Sequence, residues 1–356
     1  MRVDVKINNV QFSLSPWLKD IKYHFNRGRG HLLRYAWNRF KWFYFPRFGW
    51  VSPVPEHVDI ELSSACDMRC PMCYTTTTEF KESVPPKLMD LDLFKKIVDE
   101  CAAGGTYSIR LSFRGEPFLN KHIVEMTRYA KEKGILEVST LTNGLRLNPD
   151  QFEQILDAGL DWLTISFDGM GETYETIRKP AKFDEAVEKI RQYDAIKTRR
   201  KTKKPVVKIQ TVWPAISDDP QPFYDLFKPI ADQVYANPLV DYLNNDREVT
   251  FQEEFTCPTL WQRLVIGSDG EVLLCINDEF GRHKIGDVRE ESVVSIWRGE
   301  KMEKARSIHI DHKGVDMIKI CSECHLPRKT ELSLLQIEGR TVEVENYAGR
   351  TQQVGQ

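Results

Sequence analysis

Long hydrophobic runs are the first thing this sequence lacks. Its start, MRVDVKINNVQF, has no apolar stretch of signal-peptide length, and no later segment reaches the roughly 20 residues that span a bilayer. The expected compartment is therefore the cytoplasm, where thiols stay reduced. An excess of charge of one sign is also missing: 50 Lys and Arg stand against 52 Asp and Glu, a formal net charge of −2. No chain-wide electrostatic case for nucleic acid follows, and no such partner is expected. Internal repeats and long low-complexity segments are absent too. What remains is ordinary globular composition, 41% hydrophobic and 29% charged, in a length that can bury one large core or one large and one small.

Cysteine is where the sequence departs from the ordinary. Eight cysteines in a reducing compartment point to metal or catalysis rather than disulfides. Cys66, Cys70 and Cys73 form one cluster; Cys257, Cys275, Cys321 and Cys324 form another; Cys101 stands alone beside Ile97 and Val98 on a predicted helix and reads as core.

Residues 1–50 form a basic, aromatic extension. Its stretch 17–50 holds twelve of the chain's 38 aromatics, with eight Lys or Arg and one acid. Parts of it are expected to be helical, with Pro46 as the closing residue. The favoured expectation is that these aromatics pack the segment onto the main domain. Peripheral membrane contact, or contact with an anionic lipid-linked substrate or a nucleic acid, is the alternative for this segment. From residue 57, strands alternate with helices. HVDIELS, YSIRLSF, LEVSTLT, DWLTISF, PVVKIQTV and a short strand near Val234-Tyr235 are separated by helical segments such as LDLFKKIVDECA. Six such units predict an α/β fold with a parallel sheet, an open partial (β/α)6 TIM-like barrel over 51–245. The alternation then stops. Residues 246–330 contain a hairpin signal around Ser-Asp-Gly and a helix over 292–309, a small α+β unit whose slight core a metal centre would stabilise. Residues 331–356 read as a polar tail, disordered toward its end.

The run CDMRCPMC places three thiols in a C-x3-C-x2-C spacing directly after the first strand. Three thiolates hold three irons of a 4Fe–4S cube and leave the fourth iron open. A structural zinc site would ordinarily take four ligands in paired spacings, and three metal-free buried thiols in eight residues are a poor alternative. Further motifs follow in order, each at the carboxyl end of a predicted strand: FRGEP (113–117), LTNG (141–144) and ISFDG (165–169). Ligands bind at that end in parallel α/β folds.

Together these residues resemble the radical S-adenosylmethionine (SAM) superfamily over roughly 57–330. The resemblance implies a SAM-binding 4Fe–4S cluster on Cys66, Cys70 and Cys73. It implies close backbone approach at Gly115 beside Pro117, and Glu116 near the ammonium of the cofactor's methionine. Asn143, Ser166 and Asp168 are assigned to the cofactor, the last two near its ribose and methionine portions, with the Met72 backbone beside the adenine. Arg114 replaces the first glycine of the usual Gly-Gly-Glu-Pro stretch.

The second cluster has the spacing C-x17-C-x45-C-x2-C, which suits either a tetrahedral zinc or a 4Fe–4S cluster. Resemblance to the SPASM/twitch domains that follow many radical SAM barrels tips this toward an auxiliary 4Fe–4S cluster on Cys257, Cys275, Cys321 and Cys324. Four cysteines match the shorter, single-cluster twitch form, and the spacing is close to that of an enzyme oxidising an aminocyclitol alcohol. With no thiol to spare, His283, His309 and His325 receive no role.

The resemblance implies an oxidoreductase or epimerase. An external flavodoxin- or ferredoxin-type reductant would drive SAM cleavage to a 5′-deoxyadenosyl radical. The radical would take hydrogen from a small polar substrate, a sugar, aminocyclitol or lipid-linked glycan. Radical modification of a ribosomal peptide is the second reading, and a non-catalytic zinc protein the third.

Overall fold

The computed structural model describes residues 11–239 and 249–347; the expected boundary at 245/246 and the end of the tail lie outside the described residues. Six parallel strands carry the fold: β2 (His57–Ile60), β3 (Ser108–Arg110), β4 (Glu137–Thr142), β5 (Trp162–Ser166), β6 (Val206–Val212) and β7 (Gln233–Asn237). They pair in chain order, each with the next. Parallel neighbours need crossovers, which helices supply: α3 (Thr78–Ser83), α4 (Leu91–Gly104), α5 (Ile123–Glu132), α6 (Pro149–Asp157), α7 (Gly171–Ile177), α8 (Phe183–Arg199) and α9 (Pro220–Phe227). The Asp90 side chain caps α4, and Gly105, at φ +85°, ends it. Asn148 and Gln151 form a capping box on α6.

Strand side chains alternate between two environments. Val58, Ile60, Ile109, Val138, Leu163, Ile165, Val207 and Ile209 face the helices and are at most 2% exposed. Their partners include Phe94, Ile97, Phe152, Ile155 and Phe227. Each such burial stabilises by about 1.5–3 kcal/mol. The residues between them, His57, Asp59, Ser108, Arg110, Glu137, Ser139, Thr164, Lys208 and Gln210, point to the other face. The barrel interior is therefore polar.

The sheet does not end at β2. Strand β8 (Arg263–Ile266) pairs parallel to β2, and β9 (Glu271–Leu273) and β10 (Lys284–Asp287) continue antiparallel. On the other edge β1 (Phe12–Ser13) pairs antiparallel with β7, making a ten-stranded sheet. The C-terminal hairpin thus extends the barrel sheet instead of forming a separate one. Beyond it lie α10 (Thr259–Gln262), α11 (Val293–Trp297), α12 (Glu300–Ile310), α13 (Gly314–Met317) and α14 (Lys319–Glu323). The single helix expected over 292–309 is split at Arg298-Gly299 into α11 and α12.

Two further expectations are corrected. The polar tail is a hairpin, β11 (Thr330–Ile337) and β12 (Arg340–Tyr347), turned at Glu338-Gly339 with φ of +50° and +70°. Arg340 anchors it to the Leu14 carbonyl at 3.1 Å, and Lys228 to Glu338 at 2.6 Å. The N-terminal extension forms α1 (Trp17–Arg27) and α2 (Leu32–Phe48), but Pro46 lies inside α2, which ends at Gly49 with φ +67°. The Trp42 carbonyl that Pro46 leaves free accepts the Gln262 side chain at 2.9 Å, so the helix continues without an orphaned acceptor. Its aromatics do not all pack inward. Tyr23 and Tyr35 are buried, whereas Trp17, Ile21, Phe25, Leu33, Trp37, Phe43 and Trp50 are exposed. Among the described residues, no helix is long and apolar enough to cross a membrane.

Candidate active site

The loop after β2 carries the first three thiols, and the next loops fold over it. Gly115 permits this: a Cβ there would lie 2.1 Å from the Ala65 carbonyl oxygen and 2.5 Å from that of Ser63. The backbones are stitched together, Gly115 N–H to Ser63 at 3.2 Å and Glu116 N–H to Ala65 at 2.8 Å. The result is a cavity of about 270 Å³ lined by Cys66, Cys70, Met72, Cys73, Gly115, Glu116, Asn143 and Ser166.

Glu116 is buried in this wall. Its carboxylate accepts from Phe118 N–H at 3.0 Å, the Thr142 hydroxyl at 2.7 Å and Asn143 N–H at 2.8 Å, all neutral donors. Burial pushes it up to about 7, with the hydrogen bonds opposing. A cationic ligand would answer that carboxylate. The Asn143 side chain reaches Asp67 at 2.9 Å and Cys66 Sγ at 3.8 Å.

Pro117 and Asp168 do not line the cavity. Pro117 opens the short turn behind Glu116. Asp168 accepts from Val212 N–H at 2.8 Å and pairs with Arg178 at 2.5 Å. Arg178 reaches the cavity itself and approaches Cys70 Sγ at 3.8 Å. Sequence reasoning missed Arg178, and nothing in its spacing marks it.

Arg114, in place of the usual glycine, is a clamp. It forks onto Glu61 through two contacts of 2.6 Å, and Glu61 also accepts from the backbone and hydroxyl of Ser268, at 2.9 and 3.0 Å. Its third nitrogen reaches the Glu279 carbonyl at 3.4 Å. The cavity loop is thereby tied to the β8–β9 turn and to the loop after Cys275. Aromatics bridge the same gap: Tyr74, next to Cys73, lies 6.3 Å from Phe280 between ring centres.

Cys257 and Cys275 are buried, Cys321 and Cys324 half-buried, and all eight cysteines are free. Burial raises all four C-terminal thiols, and neighbouring thiols raise Cys275, Cys321 and Cys324 further. Yet donors aim at the sulfurs: Asn277 N–H to Cys275 at 3.4 Å, its side chain to Cys324 at 3.2 Å, and Leu326 N–H to Cys324 at 3.4 Å. Sulfurs that resist ionisation alone, but are supplied with donors, fit metal-bound thiolates. Among the described residues no three Cys, His, Asp or Glu side chains close on the point a single metal ion would occupy. A cube spreads its ligands wider than one ion does. His309, left unassigned above, is buried beside them. Its Nδ1 accepts from Cys257 N–H at 3.3 Å, which leaves the proton on Nε2, 3.4 Å from Cys321 Sγ. His283 and His325 make no such contact with the thiols.

The profile of the radical SAM superfamily matches residues 60–214, and that of an iron–sulfur cluster-binding domain matches 257–325. The chain carries a radical SAM domain followed by an iron–sulfur cluster-binding domain. Its cofactors are SAM and iron–sulfur clusters, which removes the reading as a non-catalytic zinc protein. An AdoMet-dependent heme synthase of Methanosarcina barkeri is 32% identical over 136 residues, 38% of each chain. The chain spans between 30% and 38% of the length of the curated relatives matched at this level. Among solved structures, BtrN in complex with AdoMet and 2-DOIA is similar at a TM-score of 0.53 and 17% identity, over 76% of this chain and 93% of that one. SuiB of Streptococcus suis bound to precursor peptide SuiA gives 0.53 and 14%, over 84% and 74%. At these identities the likeness is one of fold.

Proposed function

We propose that this radical SAM enzyme oxidises or epimerises a small polar substrate, a sugar, an aminocyclitol or a lipid-linked glycan. The observation that carries this is the polar barrel interior beneath an open three-thiol site, clamped to a four-thiol site with no cysteine to spare. When bound, SAM and the clusters supply hydrogen abstraction from carbon and a route for the released electron. The protein's own part is to position and exclude. Cys66, Cys70 and Cys73 hold one cluster, and Cys257, Cys275, Cys321 and Cys324 the other. Glu116 receives the cofactor's ammonium, Asn143 and Ser166 line its path, and the Met72 backbone meets its adenine. Asp168 acts through Arg178, whose guanidinium stands over Cys70. An external flavodoxin- or ferredoxin-type protein delivers the electron. Peptide modification is the second reading; α1 and α2, whose Arg27, Arg39 and Trp42 line the barrel interior, favour the small-molecule one by closing the barrel from below.

The outer face of α1–α2 supports a membrane-surface location, and with it the lipid-linked form of the substrate. Trp17, Ile21, Leu33, Trp37 and Phe43 stand in solvent among Lys22, Arg34 and Arg47, a combination that suits an anionic bilayer. Full-length protein should float with vesicles containing phosphatidylglycerol, and Leu33→Ser/Trp37→Ser/Phe43→Ser should not. Equal flotation of the two, or self-association without flotation, sinks that part. For the chemistry, anaerobic reconstitution should give about eight irons per chain with matching sulfide, and dithionite should release 5′-deoxyadenosine. Reconstituted protein that cleaves no SAM would overturn the reading.

A further inference from the structure

A second cavity, of about 230 Å³, lies inside the barrel toward the N-terminal ends of the strands. It sits directly under the cofactor cavity. Leu141 lines both, and Ser166 of the upper one is in register with Gln210 of the lower. Thr164 and Lys208, two residues earlier on each strand, therefore lie about 7 Å further down. Arg27, Arg39 and Trp42, from α1 and α2, form the floor.

Five cationic side chains line this chamber: Arg27, Arg39, Arg110, Lys208 and Arg263. Two carboxylates answer them. Glu137 takes Arg27 in a fork of 2.9 and 2.7 Å. Asp59 lies 2.7 Å from Arg110 and 3.2 Å from both Arg263 and His57. Among the described residues Arg39 and Lys208 have no acidic partner. Arg39 donates to Asn38 Oδ1 at 3.2 and 2.5 Å. Lys208, 4% exposed, donates to Gln11 at 3.1 Å and sits between the rings of Trp162 and Tyr235, at 4.9 and 5.0 Å. Burial, then Arg27 and Arg110, pulls Lys208 down to about 7, and burial lowers Arg39 and Arg110 as well. Surplus buried cations are costly unless something anionic joins them.

We propose that this chamber binds a phosphate or diphosphate group of the substrate and so presents the rest of that molecule to the cofactor cavity above. The proposal rests on the small-polar-substrate reading and narrows it to a phosphorylated one. A cation excess of this size suits a group with two or three negative charges better than a single carboxylate does, and arginine forks match phosphate oxygens. Neutral donors complete the lining: Ser108, Ser139, Thr164 and Gln210.

Calorimetric titration of the reconstituted full chain tests it, with inorganic pyrophosphate, glucose 6-phosphate, glucose and glucuronate as probes. Pyrophosphate and glucose 6-phosphate should bind once per chain, and glucose should not. Lys208→Met and Arg39→Gln should each weaken pyrophosphate at least tenfold with the melting temperature retained. Should either variant fail to fold, anomalous scattering from selenate soaked into wild-type crystals should place the anion against Lys208. No saturable binding, unchanged affinity in both variants, selenate elsewhere, or glucuronate binding as tightly as glucose 6-phosphate would overturn the assignment. Reductive SAM cleavage in the same preparation reports separately on the enzyme reading. Anion binding without cleavage leaves an anion site but removes the enzyme reading and, with it, the assignment of that site to a substrate; cleavage without binding removes the anion site alone.

Discussion

Cys66, Cys70 and Cys73 come from one loop at the mouth of the barrel, whereas Cys257, Cys275, Cys321 and Cys324 are gathered from the segment before α10, the end of the β8–β9 hairpin and a distant helical turn. The first three face a cavity whose other walls are a buried carboxylate, an amide and a guanidinium. The second four face protein, with amide donors and an imidazole turned toward the sulfurs. One donor type thus serves an open site and a closed one, and the difference lies in what the fold puts opposite the thiols. On the function proposed above, three thiols plus a cavity would leave room for chemistry, and four thiols plus hydrogen bonds only for electrons.

The most severe way to break this contrast is to remove a ligand from each site in turn. Cys73→Ala should abolish 5′-deoxyadenosine release and cut iron from about eight to about four per chain. Cys324→Ala should cost a similar amount of iron yet retain SAM cleavage. If Cys324→Ala abolishes cleavage while the barrel cluster stays assembled, the two sites are not separable in this way.

Next in size is the clamp between them. Arg114→Met leaves the Glu61 carboxylate buried with only the Ser268 donors, and breaking a buried pair in this manner costs about 3–5 kcal/mol. Denaturant unfolding reads that loss. The double variant Arg114→Met/Glu61→Gln should recover most of it, which a clamp predicts and a general packing defect does not.

Much of this was legible beforehand. Both cysteine sets, the strand–helix alternation and the Gly115-Glu116 turn stand in the sequence as local patterns. The alternation His57-Asp59, Ser108-Arg110 and Lys208-Gln210 also stands in the sequence, without by itself predicting a polar interior. Its significance needed the sheet to close before those side chains shared a space. The 330–347 hairpin had its Glu-Gly turn in view, but the exposed side chains of β11 made it read as tail. Arg178 and His309 were not legible, because each gains its role only from a neighbour more than ten residues away. Nor was the placing of the α1–α2 aromatics, since composition does not say which way a helix turns.

Smaller again is the effect at Glu116, which acts on affinity. Its carboxyl titrates near 7 because it is buried without a cation. Below that pH the neutral acid offers the cofactor's ammonium no counter-charge. SAM binding should therefore be flat above pH 7 and weaken as pH falls through it, approaching tenfold per unit. Glu116→Gln should weaken SAM by about 10- to 100-fold and flatten the profile. Equilibrium dialysis between pH 5.5 and 8.5 measures both, and a wild-type profile without the bend would detach Glu116 from the ammonium.

The least disruptive change probes the closed site alone. Burial holds His309 down to about 4, so the ring is neutral at working pH, and Cys257 N–H fixes the proton on Nε2. That proton points at Cys321 Sγ, and a donor to a ligating sulfur favours the reduced, more negative cluster. His309→Leu should lower the auxiliary potential by on the order of tens of millivolts, read by EPR-monitored redox titration. His309→Gln, which keeps an N–H, should restore part of the shift. The ring's place is tight, since a Cβ on Gly314 would lie 2.0 Å from His309 Cε1, so both variants need full iron content before their potentials are compared. Equal potentials in wild type and His309→Leu would mean that the imidazole only fills space. The contrast would then rest on thiol number alone, without hydrogen bonding that tunes the closed site for electron transfer.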